Sequence, residues 1–196
     1  MPRPTRPSAD ETRQKILISA KAVFLEKGFD ATFIKDIAKI AKVNTNLIFH
    51  HFTNKETLWH KVKASILEQD VGAPEYDRSS AKAFFRSLLD YRFTLYSQHP
   101  DLVKLIQWQQ LTESESALIG ADSSSPNHWL AIIRRFQKQG KIKKDIKAEQ
   151  MMLFIIFSTH APFLQKVIPF SKTQTAQYKA MIFTMCCDQF LERKKL

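Results

Sequence analysis

The sequence predicts an all-α fold, and three observations carry that reading. Apolar residues recur at three- and four-residue steps, the spacing of one helix face, and no stretch alternates apolar with polar as a half-buried strand would. Gly is scarce, 4 in 196 residues, which disfavours the tight turns that hairpins need. Residues that start or stop helices fall between the periodic segments, at Gly28, Asn44, Asn54, Pro100, Pro126 and Gly140. With 44% hydrophobic residues and 15 Phe, the chain can bury a substantial core, and its length admits one large domain or two small ones.

The elements follow in order. Residues 1–8 are rich in Pro and Arg and read as a flexible arm. A first helix is expected over residues 9–27, with Ile16, Ala20, Val23 and Phe24 as its apolar stripe and Gly28 after its end. Thr32 reads as the cap of a second helix that carries Ile34, Ile37, Ala38 and Ala41 on one face. A tight break at Lys42-Val43-Asn44 follows. Asn44 is placed to cap a third helix, because its side chain can accept an orphan backbone N–H. Asn54 caps a fourth helix that reaches to about residue 68 and links two domains.

Residues 71–80 break the pattern with Gly72, Pro74 and two Ser. A fifth helix is expected over 81–98, stopped by His99-Pro100, and Pro100 opens a sixth that runs to about 111. Residues 122–126 form a loop. A seventh helix starts at Ser125-Pro126 and ends at Gln139, before Gly140. An eighth, strongly apolar helix covers about 147–166 with Pro162 as a kink, and a ninth covers about 173–193.

Two short helices joined by a three- or four-residue turn are the helix-turn-helix plan, whose second helix enters the DNA major groove. Residues 34–52, IKDIAKIAKVNTNLIFHHF, have that form. Charge points the same way. The chain carries a net +11, and residues 1–63 hold 12 basic and 6 acidic side chains against 18 and 13 in the longer remainder. The N-terminal third is therefore the denser positive surface, as phosphate binding needs.

Several function classes find no support. There is no Gly-rich phosphate loop, nucleophile elbow or paired-carboxylate motif, so neither an enzyme nor a cofactor is expected. His50 and His51 are neighbours that diverge by about 100° on a helix, so no metal site is expected there. Cys186 and Cys187 are adjacent, with no basic cluster nearby in sequence, and read as core residues rather than a redox switch. The longest apolar run, 151–157, is too short to span a bilayer and the N-terminus has no apolar core, so a cytoplasmic protein is expected.

The stretch from Thr12 to Leu58 resembles the N-terminal domain of the TetR (tetracycline repressor) family. The matching pieces are Ile16-Leu17, Ala20, Phe24, Glu26-Lys27-Gly28-Phe29, Ala31-Thr32, Asp36-Ile37-Ala38, Ala41, Val43, Phe49-His50-His51-Phe52 and Asn54-Lys55-Glu56. The resemblance implies a three-helix DNA-binding domain over residues 1–63 and a helical ligand-binding and dimerisation domain over 64–196. It also implies DNA contacts from Thr32, Lys35, Thr45, Asn46, Leu47, Phe49 and His50, and a phosphate contact from Lys55. Arg3 and Arg6 in the N-terminal arm are placed to reach the backbone or a minor groove. The sequence departs from the family pattern where Gly is usual at Lys42, which implies either a strained positive φ there or a different turn. Asn46 stands where Gly is common, Leu47 replaces Thr, and Phe49 replaces Tyr.

Residues 64–196 are rich in aromatics, most of them core. Arg92 follows Phe85 and Leu88 at helical spacing and is expected to point inward, while His160 lies on the most apolar helix. With Gln107, Trp108, Trp129 and Phe157 they are the candidate lining of a small-molecule site. The implied function is a ligand-responsive repressor, homodimeric through its last two helices, on a pseudo-palindromic DNA operator. The alternative is a constitutive architectural DNA-binding protein without an effector.

Overall fold

Side-chain caps fix where several helices begin, at Asn44 and Asn54 where the sequence placed them. Nine helices lie among the described residues of this computed structural model, which are 8–68, 75–112, 126–164 and 169–192. They are α1 (Ala9–Lys27), α2 (Ile34–Ala41), α3 (Thr45–His51), α4 (Lys55–Glu68), α5 (Ala81–Gln98), α6 (Pro100–Leu111), α7 (Pro126–Lys138), α8 (Ala148–Leu164) and α9 (Lys172–Phe190). Ser8 and Glu11 close a capping box at α1, and Ser171 and Gln174 close another at α9. Asn44, Asn54 and Ser80 each accept a backbone N–H at the starts of α3, α4 and α5. The one β-type pairing among these residues is an isolated antiparallel bridge between Ile142 and Leu191, so the all-α expectation holds. Of the loop expected at 122–126, residues 122–125 lie outside the described residues.

The chain forms two compact units. The first comprises residues 1–70 with 104–120, and the second residues 71–103 with 121–196. In the first unit α1 packs on α2 and α4. Its core is built on Ile16, Phe24, Ile37, Ile48, Phe52 and Trp59, all essentially inaccessible to water. Phe24 meets the Trp59 ring edge-on at 4.9 Å and 89°. Full burial of side chains this large stabilises by about 1.5–3 kcal/mol each, which holds a unit this small together.

Gly28 ends α1 at φ 77°, ψ −175°, a region that only glycine occupies comfortably. Its N–H donates to Phe24 O at 2.9 Å. The Trp108 indole lies against it: a Cβ at position 28 would come within 2.7 Å of Trp108 Cε3. Trp108 Nε1 donates to Leu25 O at 3.3 Å. Trp108 thus belongs to the first unit, because the later part of α6 folds with α1. This corrects its expected place in a ligand site of the second half.

In the second unit α5 packs on α8 and α9, α7 on α8, and α8 on α9. Phe84, Phe85 and Leu88 of α5 meet Trp129 of α7, Ile155 of α8 and Phe190 of α9 in one continuous core. Gln137 fixes the α7–α8 connection by donating to Lys143 O at 2.8 Å and Ile146 O at 2.9 Å. Pro162 sits in the last turn of α8. It has no N–H to give to Ser158 O, so the ladder is interrupted there.

Cys186 is buried in this core, and burial, with Cys187 beside it, pushes its thiol up to about 12. Burial raises Cys187 as well, although Lys82 and Arg86 of α5 pull the other way. The expectation of no basic cluster nearby is corrected by this packing for Cys187. Basic residues about a hundred positions away arrive through α5.

Gly28→Ala is expected to lower unfolding stability by about 1–3 kcal/mol, since it adds a strained φ and a clash with the Trp108 ring. Chemical denaturation measures it. A variant as stable as the parent would mean that neither constraint is felt.

Candidate nucleic-acid interface and buried cationic cluster

The turn between α2 and α3 sets the site. Lys42 adopts φ 52°, ψ 46°, the left-handed region that the sequence anticipated at this position, and among the described residues no other non-glycine has positive φ. The Val43 N–H donates to Ala38 O at 3.0 Å and closes a Schellman-type end on α2. Asn44 Oδ1 then accepts the Leu47 N–H at 2.7 Å and starts α3. α3 is only 7 residues long and is held by Ile48 and by Phe52 just beyond its end, both buried. With that face fixed inward, Asn46, Phe49 and His50 are exposed, Phe49 at 46%. Thr45 and Leu47 are half-buried. Lys35 is exposed on α2, its ammonium 5.1 Å from the centre of the exposed Phe33 ring.

Two expected contacts take other partners in the fold. Thr32 is buried, and its hydroxyl donates to Gly28 O. It does not cap α2, whose N-cap position is held by Phe33 with no side-chain bond. The Lys55 ammonium donates to Phe29 O at 3.0 Å and Thr32 O at 3.2 Å, and lies 4.4 Å from the centre of the Phe29 ring. It therefore ties α4 to the segment between α1 and α2, by satisfying carbonyls that no helix uses. Arg3 and Arg6 lie outside the described residues.

The second unit holds a different site. Arg92 of α5 is 7% exposed. Its Nε donates to Thr159 Oγ1 at 2.9 Å, and its terminal nitrogen lies 3.4 Å from His160 Nε2. The guanidinium carbon is 5.1 Å from the centre of the Tyr96 ring and 5.2 Å from that of Trp129. Among the described residues no carboxylate pairs with it. The Trp129 Nε1–H, fully buried, also has no acceptor.

The protonation states follow from the geometry. Burial, and then the positive charge of Arg92, lower His160 from 6.5 to about 3, so its ring is neutral. A guanidinium has donors only, so the Nε2 that faces it carries the lone pair and Nδ1 the proton. The Tyr96 hydroxyl, 2.8 Å from the same Nε2, then donates to it. Burial raises the Tyr96 phenol above its ordinary value, although Arg92 pulls the other way, so the phenol keeps that proton.

Of the residues expected to line a small-molecule site, Arg92, His160 and Trp129 meet here. Gln107 is exposed, Trp108 belongs to the first unit, and Phe157 is 55% exposed beside exposed Leu153 on α8. Tyr96 and Thr159 join the cluster without having been singled out. Their spacing was the available signal, since Tyr96 is one helical turn after Arg92 and Thr159 precedes His160.

Comparison with known proteins agrees with both halves. Residues 16–62 match the model for bacterial regulatory proteins of the tetR family. Residues 88–185, half of the chain, match the tetracyclin repressor-like C-terminal domain. The HTH-type transcriptional repressor NicS of Pseudomonas putida is 30% identical over 106 residues, which are 53% of this chain and 50% of NicS. The HTH-type transcriptional repressor SCO4008 of Streptomyces coelicolor is 26% identical over 151 residues, covering 75% of this chain and 76% of that protein. A TetR family regulator from Marinobacter aquaeolei superimposes with a TM-score of 0.70 at 17% identity over 94% of this chain and 97% of its own, which shows a shared fold.

Two measurements test the site geometry. Lys42→Gly is expected to raise stability by up to about 1 kcal/mol by relieving the left-handed strain; an unchanged or lower melting temperature would contradict it. His160 gains its proton near pH 6.5 unfolded but only near 3 folded, so between those values the unfolded state binds more protons. Its contribution to stability is complete above about pH 6.5 and falls as pH drops, by up to about 1.4 kcal/mol per unit. Denaturation at about pH 7 and about pH 5 should show a smaller loss for His160→Gln than for the parent. Equal losses would show that the ring is not held neutral.

Proposed function

Because the chain belongs to the TetR family of bacterial regulatory proteins, we propose that it is a ligand-responsive transcriptional repressor that binds a pseudo-palindromic DNA operator as a homodimer. The observation that carries this reading is α3. It is short, capped at Asn44 and fixed by Ile48, with Asn46, Phe49 and His50 turned outward. A helix presented in this way can enter a major groove, where an Asn amide pairs with adenine N6 and N7 and an apolar ring meets a thymine methyl. Lys35 and the arm residues Arg3 and Arg6 supply phosphate contacts, and Thr32 and Lys55 hold the frame that presents them. The relatives named as transcriptional repressors support the sign of regulation.

Residues 1–63 carry the DNA-binding role in this reading, and 64–196 the effector and dimer roles. Support for a dimer comes from the last two helices. Leu153 and Phe157 on α8, and Met181 and Met185 on α9, are exposed apolar pairs at four-residue spacing on helices that pack together. Two copies would bury these rows in an isologous interface and present two recognition helices. No described helix is long and apolar enough to cross a membrane, which agrees with a cytoplasmic regulator.

Selection from a random duplex library, followed by footprinting, tests the proposal. Two symmetric half-sites about one or more helical turns apart are expected, and a single asymmetric site bound by a monomer would contradict it. Against a panel of mutated operators, Asn46→Ala should relax preference at one base position, costing about 1–3 kcal/mol there. Lys55→Ala should lower the melting temperature and weaken all sequences alike, since its ammonium braces the scaffold. An unchanged preference profile for Asn46→Ala would remove it from base readout.

A further inference from the structure

The second unit holds one buried positive charge, Arg92, that meets no carboxylate among the described residues. Arg92 brings five N–H donors into an apolar core, and among the described residues it meets Thr159 Oγ1, His160 Nε2 and the Tyr96 hydroxyl. At least two N–H groups are left over. The buried Trp129 Nε1–H is also without an acceptor, and its ring centre lies 5.2 Å from the guanidinium carbon. Thr159 adds no negative charge, since its hydroxyl donates onward to Ile155 O at 2.7 Å. His160 adds none either, since it is neutral and already accepts from Tyr96. The cluster is thus rich in donors and one unit positive, inside a shell of hydrocarbon.

Burying a cation without a partner costs several kcal/mol, whereas a bidentate oxyanion both neutralises a guanidinium and fills its fork. The count of charges selects the anion. One negative charge balances Arg92, and a dianion such as a phosphate monoester would leave a charge of the opposite sign buried. The surroundings select the rest of the molecule. Phe93 and Tyr96 each lie 5.8 Å from Phe163, centre to centre, and the Trp129 ring centre lies 5.2 Å from the guanidinium carbon. These rings are apolar and offer no further charge, so a molecule held there would have an aromatic or aliphatic body.

We infer that the Arg92, Tyr96, Trp129, Thr159 and His160 cluster is the receptor for the carboxylate of an apolar organic acid, and that such an acid is the effector. This rests on the ligand-responsive reading above and gives it a chemical class. Arg92 forks the carboxylate, the Trp129 N–H is the additional donor, and His160, with its proton on Nδ1, fixes the position of Arg92 without competing for the anion.

The probes are octanoate, 4-phenylbutanoate and 2-naphthoate, each beside its primary amide, titrated calorimetrically into the full, dialysed chain without DNA. At least one acid is expected to bind, with its amide about ten-fold or more weaker, as loss of a charge-assisted bond implies. Arg92→Gln should abolish that preference, and Arg92→Lys should keep part of it. Arg92→Met, free of ligand, should melt no lower than the parent, since it removes an uncompensated charge. Three outcomes overturn the proposal: no acid binds, acids and amides bind alike, or Arg92→Met unfolds several degrees earlier because Arg92 is structural.

The selected operator separates the two readings. If neutral compounds alone release it, the acid assignment fails and ligand response stands. If an acid binds through Arg92 but never releases the operator, the site stands and the regulatory reading fails.

Discussion

A cation in an apolar interior constrains everything packed around it, and the second unit is organised on that constraint. Arg92 is buried and, among the described residues, meets no carboxylate, so its neighbours must bear the charge. Tyr96 and Trp129 do so with ring faces, and Thr159 with an oxygen. His160 does so by remaining neutral with its lone pair toward the guanidinium, which in turn fixes which way the Tyr96 hydroxyl points. Three helices, α5, α7 and α8, are thereby committed to one arrangement of side chains. Replacing Thr159 or His160 removes an acceptor and leaves a bare donor on Arg92, so the cluster tolerates those changes poorly unless an anion completes it.

The first unit is governed by backbone rather than charge. Its helix-turn-helix depends on two residues forced out of ordinary φ/ψ space, Gly28 and Lys42. Gly28 satisfies its constraint by lacking a Cβ, and Trp108 occupies the room that absence leaves. Lys42 bears a strain that glycine would avoid. Its position at the tip of the turn also leaves a positive charge exposed beside α3, where a phosphate backbone would gain from it. The carbonyls at Phe29 and Thr32, which no helix satisfies, are met instead by Lys55.

Much of this was legible in the chain itself. Caps and periodicity placed the helices closely, because Asn44 and Asn54 act through bonds to backbone groups three positions away and Pro100 ends one helix and opens the next through its ring. The inward turn of Arg92 was legible for the same reason. What escaped was set by packing between distant segments. Whether Lys55 faces a phosphate or two carbonyls depends on where the α1–α2 connection lies. Trp108 was assigned by its place in the second half of the sequence, but α6 carries it back to α1. Phe157 shares its helix with His160 but stands three residues away, on the exposed row with Leu153. The basic residues beside Cys187 are remote in sequence and adjacent only because α5 and α9 pack.

The central claim is that an effector in the second unit and DNA on α3 oppose each other. The decisive measurement is a pair of titrations: operator binding in rising effector, and effector binding with and without operator. Linkage requires each ligand to weaken the other by one common factor, and a coupling of about 1–3 kcal/mol, roughly five- to 150-fold, is expected. A compound that saturates the second unit and leaves operator affinity unchanged would contradict it, and would favour a constitutive architectural DNA-binding protein instead.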